Sequence, residues 1–333
     1  MNEKRILYLD QIRGLMILWM LVVHISLNYG YIKFGEPVTK ASVFTMMSFF
    51  MTPFYVFSGY LFSEKRNFSD YTKNKIKKLI IPYLSFTIFG LIIYEAYYII
   101  VYNTFDLNFV SGFISTASFK SNTPCWFFVS LFFVTEIYYL LHKKLGGAKM
   151  WLAILVSFVL AMLSSGRIQV LCSGNILLGL VYFHVGYVIK THEDIIKRYF
   201  KLIFAFVLFT YLIIGLLFPT SLSFVLNNLN GGLYVTNFIF SVCACMSLFL
   251  LFSIIPQTGN IIEKLLGYWG RSSLVIFAFH RPVLNWIFEP LLKQVTQEIS
   301  YLSFLLICLC LILISAFLFD KVVGKTLPFV IGK

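Results

Sequence analysis

The chain has 333 residues, of which 59% are hydrophobic and only 12% are charged. With a mean hydropathy of +0.84, this composition argues against a soluble enzyme and is typical of a protein that crosses a lipid bilayer many times. The net charge of +13 does not indicate a nucleic-acid partner, because the basic residues fall in short loops between apolar runs, as membrane orientation requires.

Ten apolar segments are each long enough to cross a bilayer, which takes about 20 helical residues. These segments lie at about residues 9–31, 41–63, 77–102, 125–142, 149–166, 171–190, 200–219, 232–255, 271–290 and 300–319. The sequence therefore predicts an all-α, polytopic membrane protein with about ten transmembrane helices. No interval between segments could hold a globular domain, so we expect residues 1–333 to form a single membrane domain with no appended soluble domain.

The distribution of Lys and Arg residues predicts the orientation in the membrane. With the N-terminus inside, 20 of the 27 basic residues lie on the cytoplasmic side, 6 lie outside, and Arg13 belongs to the first segment. Because cytoplasmic loops are enriched in Lys and Arg, both termini should be cytoplasmic. We expect a multi-pass protein of the cell membrane, that is, the plasma membrane or a bacterial inner membrane.

The first segment carries polar side chains that are costly to place in lipid. Arg13 and His24 are eleven residues apart, so they share a helical face and lie about 16 Å apart along its axis. Ionisable groups within the membrane suggest a cavity that these side chains line. Each residue also has a purely structural explanation: Arg13 could pair with Asp10 at the inner leaflet, and His24 could hydrogen-bond to a neighbouring helix. Asn28 follows four residues after His24.

Two later segments also place ionisable groups in the membrane. His280 lies nine residues after Arg271, roughly 13 Å into its segment and at a depth similar to that of His24. Pro282 should kink the helix there and free a backbone carbonyl. Glu136 lies ten residues after Trp126. A buried carboxyl group there either stays neutral or pairs with a base, and it could orient a catalytic histidine.

Five stretches of the chain carry a family resemblance. They are LDQIRGL at 9–15 with VVH at 22–24, MTPFYVFSGYLF at 51–62, KIKKLIIPY at 75–83, WFF at 126–128 and SLVIFAFHRP at 273–282. In this order they resemble the motifs of the acyltransferase 3 family of integral-membrane O-acyltransferases. The resemblance implies an enzyme that moves an acyl group, usually acetyl, from cytoplasmic acyl-CoA to a hydroxyl of a cell-envelope saccharide or glycolipid.

The resemblance also implies roles for individual residues. His24 would act as a general base on the acceptor hydroxyl or as a transient acyl carrier, and the sequence does not separate these two roles. Arg13 would hold the phosphates of CoA. His280 would orient the acceptor or the acyl carbonyl, or it serves structure alone. Glu136 is a catalytic candidate from its position and not from the resemblance, because relatives place a glutamate five residues after the tryptophan, where this chain has Leu131.

The remaining predicted contacts concern the donor and the acceptor. Lys75 and Lys78 would contact CoA, or they could serve membrane orientation alone. Many relatives have arginine at both positions, and lysine lacks its bidentate fork. Trp126 and Asn28 would contact the acceptor. No metal is expected, because no His, Cys and carboxylate residues have the spacing of a metal site.

A transporter or flippase that moves a glycolipid, polymer or small solute without acyl transfer is the competing interpretation. Ten spans with polar intramembrane residues would suit it. Against it, the two halves of the chain do not resemble inverted repeats. Dependence of the activity on acyl-CoA would discriminate between the two classes of protein.

Overall fold

The computed structural model describes residues 6–34, 49–65, 67–106, 113–165, 167, 170–218, 233–292 and 299–332. The described chain is helical, which confirms the predicted all-α class, and twelve of its helices have eight or more residues. They are α1 (Leu7–Phe34), α2 (Thr52–Tyr60), α3 (Phe68–Lys75), α4 (Ile81–Tyr102), α5 (Trp126–Lys144), α6 (Gly147–Ser164), α7 (Ser173–Thr191), α8 (Phe200–Leu217), α9 (Tyr234–Ile254), α10 (Ile261–Arg271), α11 (Ser273–Val283) and α12 (Tyr301–Thr326). One π-helical turn, Ile76–Ile80, joins α3 to α4, and a second, Leu284–Phe288, follows α11.

Seven stretches of the described chain are long and apolar enough to cross a bilayer. They are Leu7–Phe34, Phe68–Tyr102, Phe113–Lys144, Gly147–Ser164, Phe200–Leu217, Tyr234–Ile254 and Tyr301–Thr326. Of the other three predicted segments, 41–63 lies partly outside the described residues, 171–190 forms α7, and 271–290 is divided between α11 and shorter helices. The polytopic architecture is confirmed, and helix length and composition support seven of the predicted crossings in the described chain. The total of ten crossings stays a prediction.

Helices α1 and α10 cross with their backbones in contact. A Cβ atom on Gly14 would lie 2.1 Å from the carbonyl oxygen of Leu266, and one on Gly270 would lie 1.7 Å from that of Asp10. Only glycine permits so close an approach. Helix α10 begins where the Asn260 side chain accepts a hydrogen bond from the Glu263 backbone N–H at 2.9 Å. The crossing therefore fixes the end of α10 against the N-terminal third of α1.

Helices α2 and α7 meet through a second pair of glycines. A Cβ atom on Gly59 would lie 1.8 Å from the carbonyl oxygen of Phe183, and one on Gly186 would lie 1.8 Å from that of Val56. The contact is reciprocal, because each glycine faces the backbone of the other helix. It places the short helix α2 inside the bundle, where nearly all its side chains are buried.

A buried asparagine supports α11 at its proline. Pro282 has no backbone N–H, so it leaves the carbonyl of Ala278, four residues earlier, without its helical partner. The Asn122 side chain donates from Nδ2 to this carbonyl at 3.0 Å and to the carbonyl of Phe86 at 3.0 Å. Gly90 leaves the space for Asn122, since a Cβ there would lie 2.7 Å from the Asn122 Cβ. The carbonyl that the sequence predicts to be freed is thus satisfied by a side chain from another part of the chain.

Asn122→Ala is expected to lower the free energy of unfolding by about 2 kcal/mol, because the buried Ala278 carbonyl loses its donor and the Phe86 carbonyl loses a second one. Thermal unfolding in detergent micelles would measure the change. Thr123→Ala is the matched control, since Thr123 is the exposed neighbour. An equal melting temperature for the two variants would contradict the supporting role of Asn122.

Candidate functional site

A cavity of about 170 Å³ lies between α1, α2, α5 and the junction of α10 with α11. Its lining combines two arginines and two serines with apolar groups. The lining residues are Arg13, Phe54, Ser58, Phe127, Leu131, Gly270, Arg271, Ser273 and Leu274. Ser58 donates its hydroxyl hydrogen bond to the Phe54 carbonyl within α2. The two guanidinium groups give the cavity a positive charge, which suits an anionic ligand.

Contacts with Asp10 and Phe57 hold Arg13 at the cavity. Its Nη1 lies 3.8 Å from Oδ1 of Asp10, and its guanidinium carbon lies 6.0 Å from the centroid of the Phe57 ring. The predicted pairing with Asp10 is therefore confirmed. The same side chain lines the cavity, so this pairing does not remove Arg13 from the candidate site.

Arg271 joins Arg13 at this cavity, although the sequence pattern indicated only a contribution to membrane orientation. Arg271 ends α10 one residue after Gly270, and the contact of Gly270 with the Asp10 backbone brings it to α1. Among the described residues no carboxylate lies within salt-bridge distance of Arg271. A second guanidinium beside Arg13 makes the cavity a stronger candidate for binding a phosphate.

His24 and His280 come together from α1 and α11. Their ring centroids are 5.0 Å apart, with an angle of 36° between the ring planes. His280 is fully buried, and its Nδ1 lies 2.6 Å from the carbonyl oxygen of Phe277. Because a carbonyl oxygen only accepts, Nδ1 carries the proton, and Nε2 is the acceptor in the neutral ring. The similar membrane depth predicted for the two histidines agrees with this contact.

Each histidine keeps one ring nitrogen available. In the part of the chain that the structure describes, Nδ1 of His24 and Nε2 of His280 are buried without a hydrogen-bond partner. Buried polar groups in proteins are normally hydrogen-bonded, so an unsatisfied pair in contact needs an explanation. A substrate that hydrogen-bonds to these nitrogens would provide one.

Two phenylalanines connect the arginine-lined cavity to the histidine pair. Phe127 lines the cavity, and its ring centroid lies 5.3 Å from that of Phe277, which in turn lies 6.0 Å from that of His280. Helix α11 spans the same interval, because Ser273 lines the cavity and His280 follows seven residues, or about 10 Å, later. The cavity and the histidine pair therefore lie one after the other along α1 and α11.

Glu136 lies apart from this arrangement. Its Oε2 accepts a hydrogen bond of 2.6 Å from the hydroxyl of Thr72, beside α3. It follows Phe127, the α5 residue in contact with α11, by nine residues, or about 13 Å of helix. The structure therefore does not bring Glu136 to His24. The ten-residue interval from Trp126 to Glu136 predicts the depth of Glu136 in the membrane. It does not predict which helix packs against Glu136.

The predicted donor and acceptor contacts also fall outside the cavity lining. Lys75 Nζ lies 5.1 Å from the centroid of the Tyr71 ring, and Lys78 is exposed on the π-helical turn Ile76–Ile80. Trp126 begins α5 and packs edge-on against Phe127 at 6.0 Å. None of these three residues is among those that line the cavity.

Asn28 extends the polar face of α1 beyond His24. Its Nδ2 donates to Oδ1 of Asn285 at 3.1 Å and to Oε2 of Glu289 at 3.0 Å. Neither partner stood out in the sequence, because both follow Pro282 in a stretch that is otherwise apolar and aromatic. The π-helical turn Leu284–Phe288 carries Asn285, and such turns occur frequently at functional sites.

These features define a polytopic membrane protein with a positively charged cavity and, farther along α1 and α11, a pair of histidines in contact. A family model described as an acyltransferase domain matches residues 6–321. The chain belongs to this family, acyltransferase 3, and is an integral-membrane acyltransferase. No curated protein and no solved structure matches the chain.

Proposed function

We propose that the protein is a membrane O-acetyltransferase that carries acetyl from cytoplasmic acetyl-CoA to a hydroxyl of a cell-envelope saccharide or glycolipid. The observation that supports this function is the order of two features along α1 and α11. The cavity lined by Arg13 and Arg271 comes first, and the pair of His24 and His280 follows it. This arrangement offers an anion-binding site on the side predicted to be cytoplasmic and a potential base deeper in the bundle.

Arg13 and Arg271 bind the phosphates of CoA in this proposal. The 16 Å or so along α1 from Arg13 to His24 is of the same order as an extended pantetheine arm. The thioester can then reach the histidines while the phosphates stay with the guanidinium groups. Lys75 and Lys78 would contact the donor farther towards the cytoplasm, as point charges.

His24 acts on the acceptor hydroxyl. As a general base it removes the hydroxyl proton while the oxygen attacks the thioester carbonyl, and the carbon–sulfur bond breaks. The proton then passes from His24 to the leaving thiolate, which departs as the free thiol of CoA. Alternatively, a neutral ring nitrogen of His24 attacks the thioester carbonyl, and the carbon–sulfur bond breaks to release the CoA thiolate. The acceptor hydroxyl then attacks the acetylated ring, the nitrogen–carbon bond breaks, and the hydroxyl proton passes to the thiolate, so that ester, free imidazole and CoA thiol result.

His280 assists His24 through the nitrogen that its contact with Phe277 leaves unprotonated. Its Nε2 can accept a hydrogen bond from the acceptor hydroxyl or from the protonated ring of His24. Trp126 and Asn28 would contact the acceptor from the outer side. Glu136 would not touch the reacting atoms, because its carboxylate is hydrogen-bonded to Thr72.

The test of this function is acyl transfer by the purified protein in proteoliposomes. Labelled acetyl-CoA is supplied with envelope glycans from cells that lack the protein, and the products are analysed by mass spectrometry. Acetylated glycan formed only in the presence of the protein supports the proposal. Acylation that is normal in cells lacking the protein, together with a missing envelope polymer, would instead identify a transporter.

Arg13→Gln and Arg271→Gln are each expected to raise KM for acetyl-CoA by about tenfold or more, because each removes a charge-assisted hydrogen bond to phosphate. Initial rates at varied acetyl-CoA concentration would measure this. Arg198→Gln is the control, since Arg198 is an exposed arginine on the side predicted to be cytoplasmic. If the Arg198 variant shows the same rise in KM, the effect comes from overall charge and not from the cavity.

A further inference from the structure

Beyond the histidine pair, a polar cluster joins α1 to the segment that follows α11. Asn28 comes one turn after His24, while Asn285 and Glu289 come five and nine residues after His280. The Asn28 amide holds both partners, at 3.1 Å and 3.0 Å. Asn28 is 7% exposed, but Asn285 and Glu289 are only half-buried. The cluster therefore keeps part of its hydrogen-bonding surface accessible.

An aromatic wall lies beside this cluster. The Trp286 ring, next to Asn285 in the chain, has its centroid 5.4 Å from that of Tyr97 and 4.7 Å from that of Tyr94. The indole Nε1 of Trp286 donates to the Ser121 carbonyl at 3.3 Å, which fixes the ring. Trp286 and Tyr97 are both half-buried, and Tyr97 lies near enough to Glu289 for the two groups to interact electrostatically.

We infer that Asn28, Asn285 and Glu289, with Tyr97 and Trp286, form the subsite that binds the acceptor as a hydroxylated sugar ring. The inference rests on the proposed function, because it assumes that His24 acts on a hydroxyl. Sugar hydroxyls donate to carboxylate and amide oxygens and accept from amide N–H groups. The apolar face of the ring packs on the aromatic side chains, a combination typical of small-molecule sites.

Other classes of acceptor fit these side chains less well. The alkyl chain of an aliphatic alcohol would bury the two amides and the carboxylate without hydrogen-bonding to them. Each polar group buried in this way costs free energy. An ammonium group would pair with Glu289 alone. Only a ligand with several hydroxyls on an apolar frame uses both parts of the surface.

The position of the subsite also agrees with the chemistry. Asn28 lies about 6 Å beyond His24 along α1, so a ring bound at the cluster extends over the histidine pair. A general base must lie within hydrogen-bond reach of the proton that it removes. The acceptor would approach from the side predicted to be outside, opposite the arginine-lined cavity, and the two substrates would meet at His24 and His280.

The first experiment measures KM for glycan and KM for acetyl-CoA separately. Glu289→Gln keeps the shape of the side chain and its acceptor for Asn28, and it is expected to raise KM for the glycan about tenfold while KM for acetyl-CoA stays the same. Asn285→Ala should act in the same direction. Glu95→Gln is the matched control, because Glu95 is a half-buried glutamate of α4 that accepts from the Asp106 backbone N–H. A fall in kcat with both KM values unchanged would assign the cluster to helix cross-linking and overturn the subsite.

The second experiment needs no transfer reaction. Saturation-transfer NMR with the purified protein should detect binding of methyl hexosides but not of 1,6-hexanediol, and Glu289→Gln should weaken the hexoside signal. Hexoside binding without any acetyl transfer would support the subsite and reject the proposed chemistry. Transfer with an unchanged KM for glycan in the Glu289 and Asn285 variants would reject the subsite alone, and equal binding of hexoside and diol would also reject it.

Discussion

His24→Ala is expected to lower the rate of acyl transfer by about 10²- to 10⁴-fold, the usual contribution of a general base. The fold should survive, because Nδ1 of His24 has no hydrogen-bond partner among the described residues and its loss breaks no such bond there. Transfer rates with labelled acetyl-CoA would measure the effect, and the melting temperature in detergent would report on folding. His192→Ala is the matched control, since His192 is exposed at the end of α7.

The same variant separates the chemistry from binding of the donor. Because the arginines and not His24 line the cavity, KM for acetyl-CoA should stay close to that of the unchanged protein. Wild-type transfer rates in a folded His24→Ala protein would refute both roles proposed for His24. The two roles themselves are distinguished by incubating the wild-type protein with labelled acetyl-CoA alone. Label that stays on the protein, and is absent from the Ala variant, identifies an acyl carrier.

The sequence predicted those parts of the molecule that follow from one-dimensional pattern. Long apolar runs gave the helical class, since backbone polar groups in lipid must be satisfied internally. The eleven-residue interval placed Arg13 and His24 on one face because helical geometry is fixed. The depth of His280 in its segment agreed with its contact to His24. The two predictions about the histidines needed only distances along a helix.

The parts that the sequence did not predict depend on how helices face one another. Arg271 counted only as one of many basic loop residues until the crossing at Gly270 placed it beside Arg13. Glu136 has the right depth to meet a histidine, but its helix turns it towards Thr72. Glu289 follows a proline and a π-helical turn, so simple helical periodicity does not define its direction.

Gly270→Val is expected to disrupt the site more broadly than removal of any side chain. A Cβ atom there would lie 1.7 Å from the Asp10 carbonyl oxygen, and the obstacle is backbone that cannot rotate away. Helices α1 and α10 must separate, at a cost of about 1–3 kcal/mol or more for overpacking. Arg13 and Arg271 then move apart, because the crossing alone brings the α10 end to α1.

The expected result is a lower melting temperature in detergent together with a loss of measurable acetyl transfer. Gly146→Ala is the control, because a Cβ at Gly146 would meet no atom within 4 Å. Gly270→Ala provides the graded case, in which a smaller separation should raise KM for acetyl-CoA before it abolishes transfer. If Gly270→Val keeps the unchanged protein's melting temperature and its KM for acetyl-CoA, the close crossing does not hold the two arginines together. The donor phosphates would then have to be bound by other basic groups, of which Lys75 and Lys78 are the first to test.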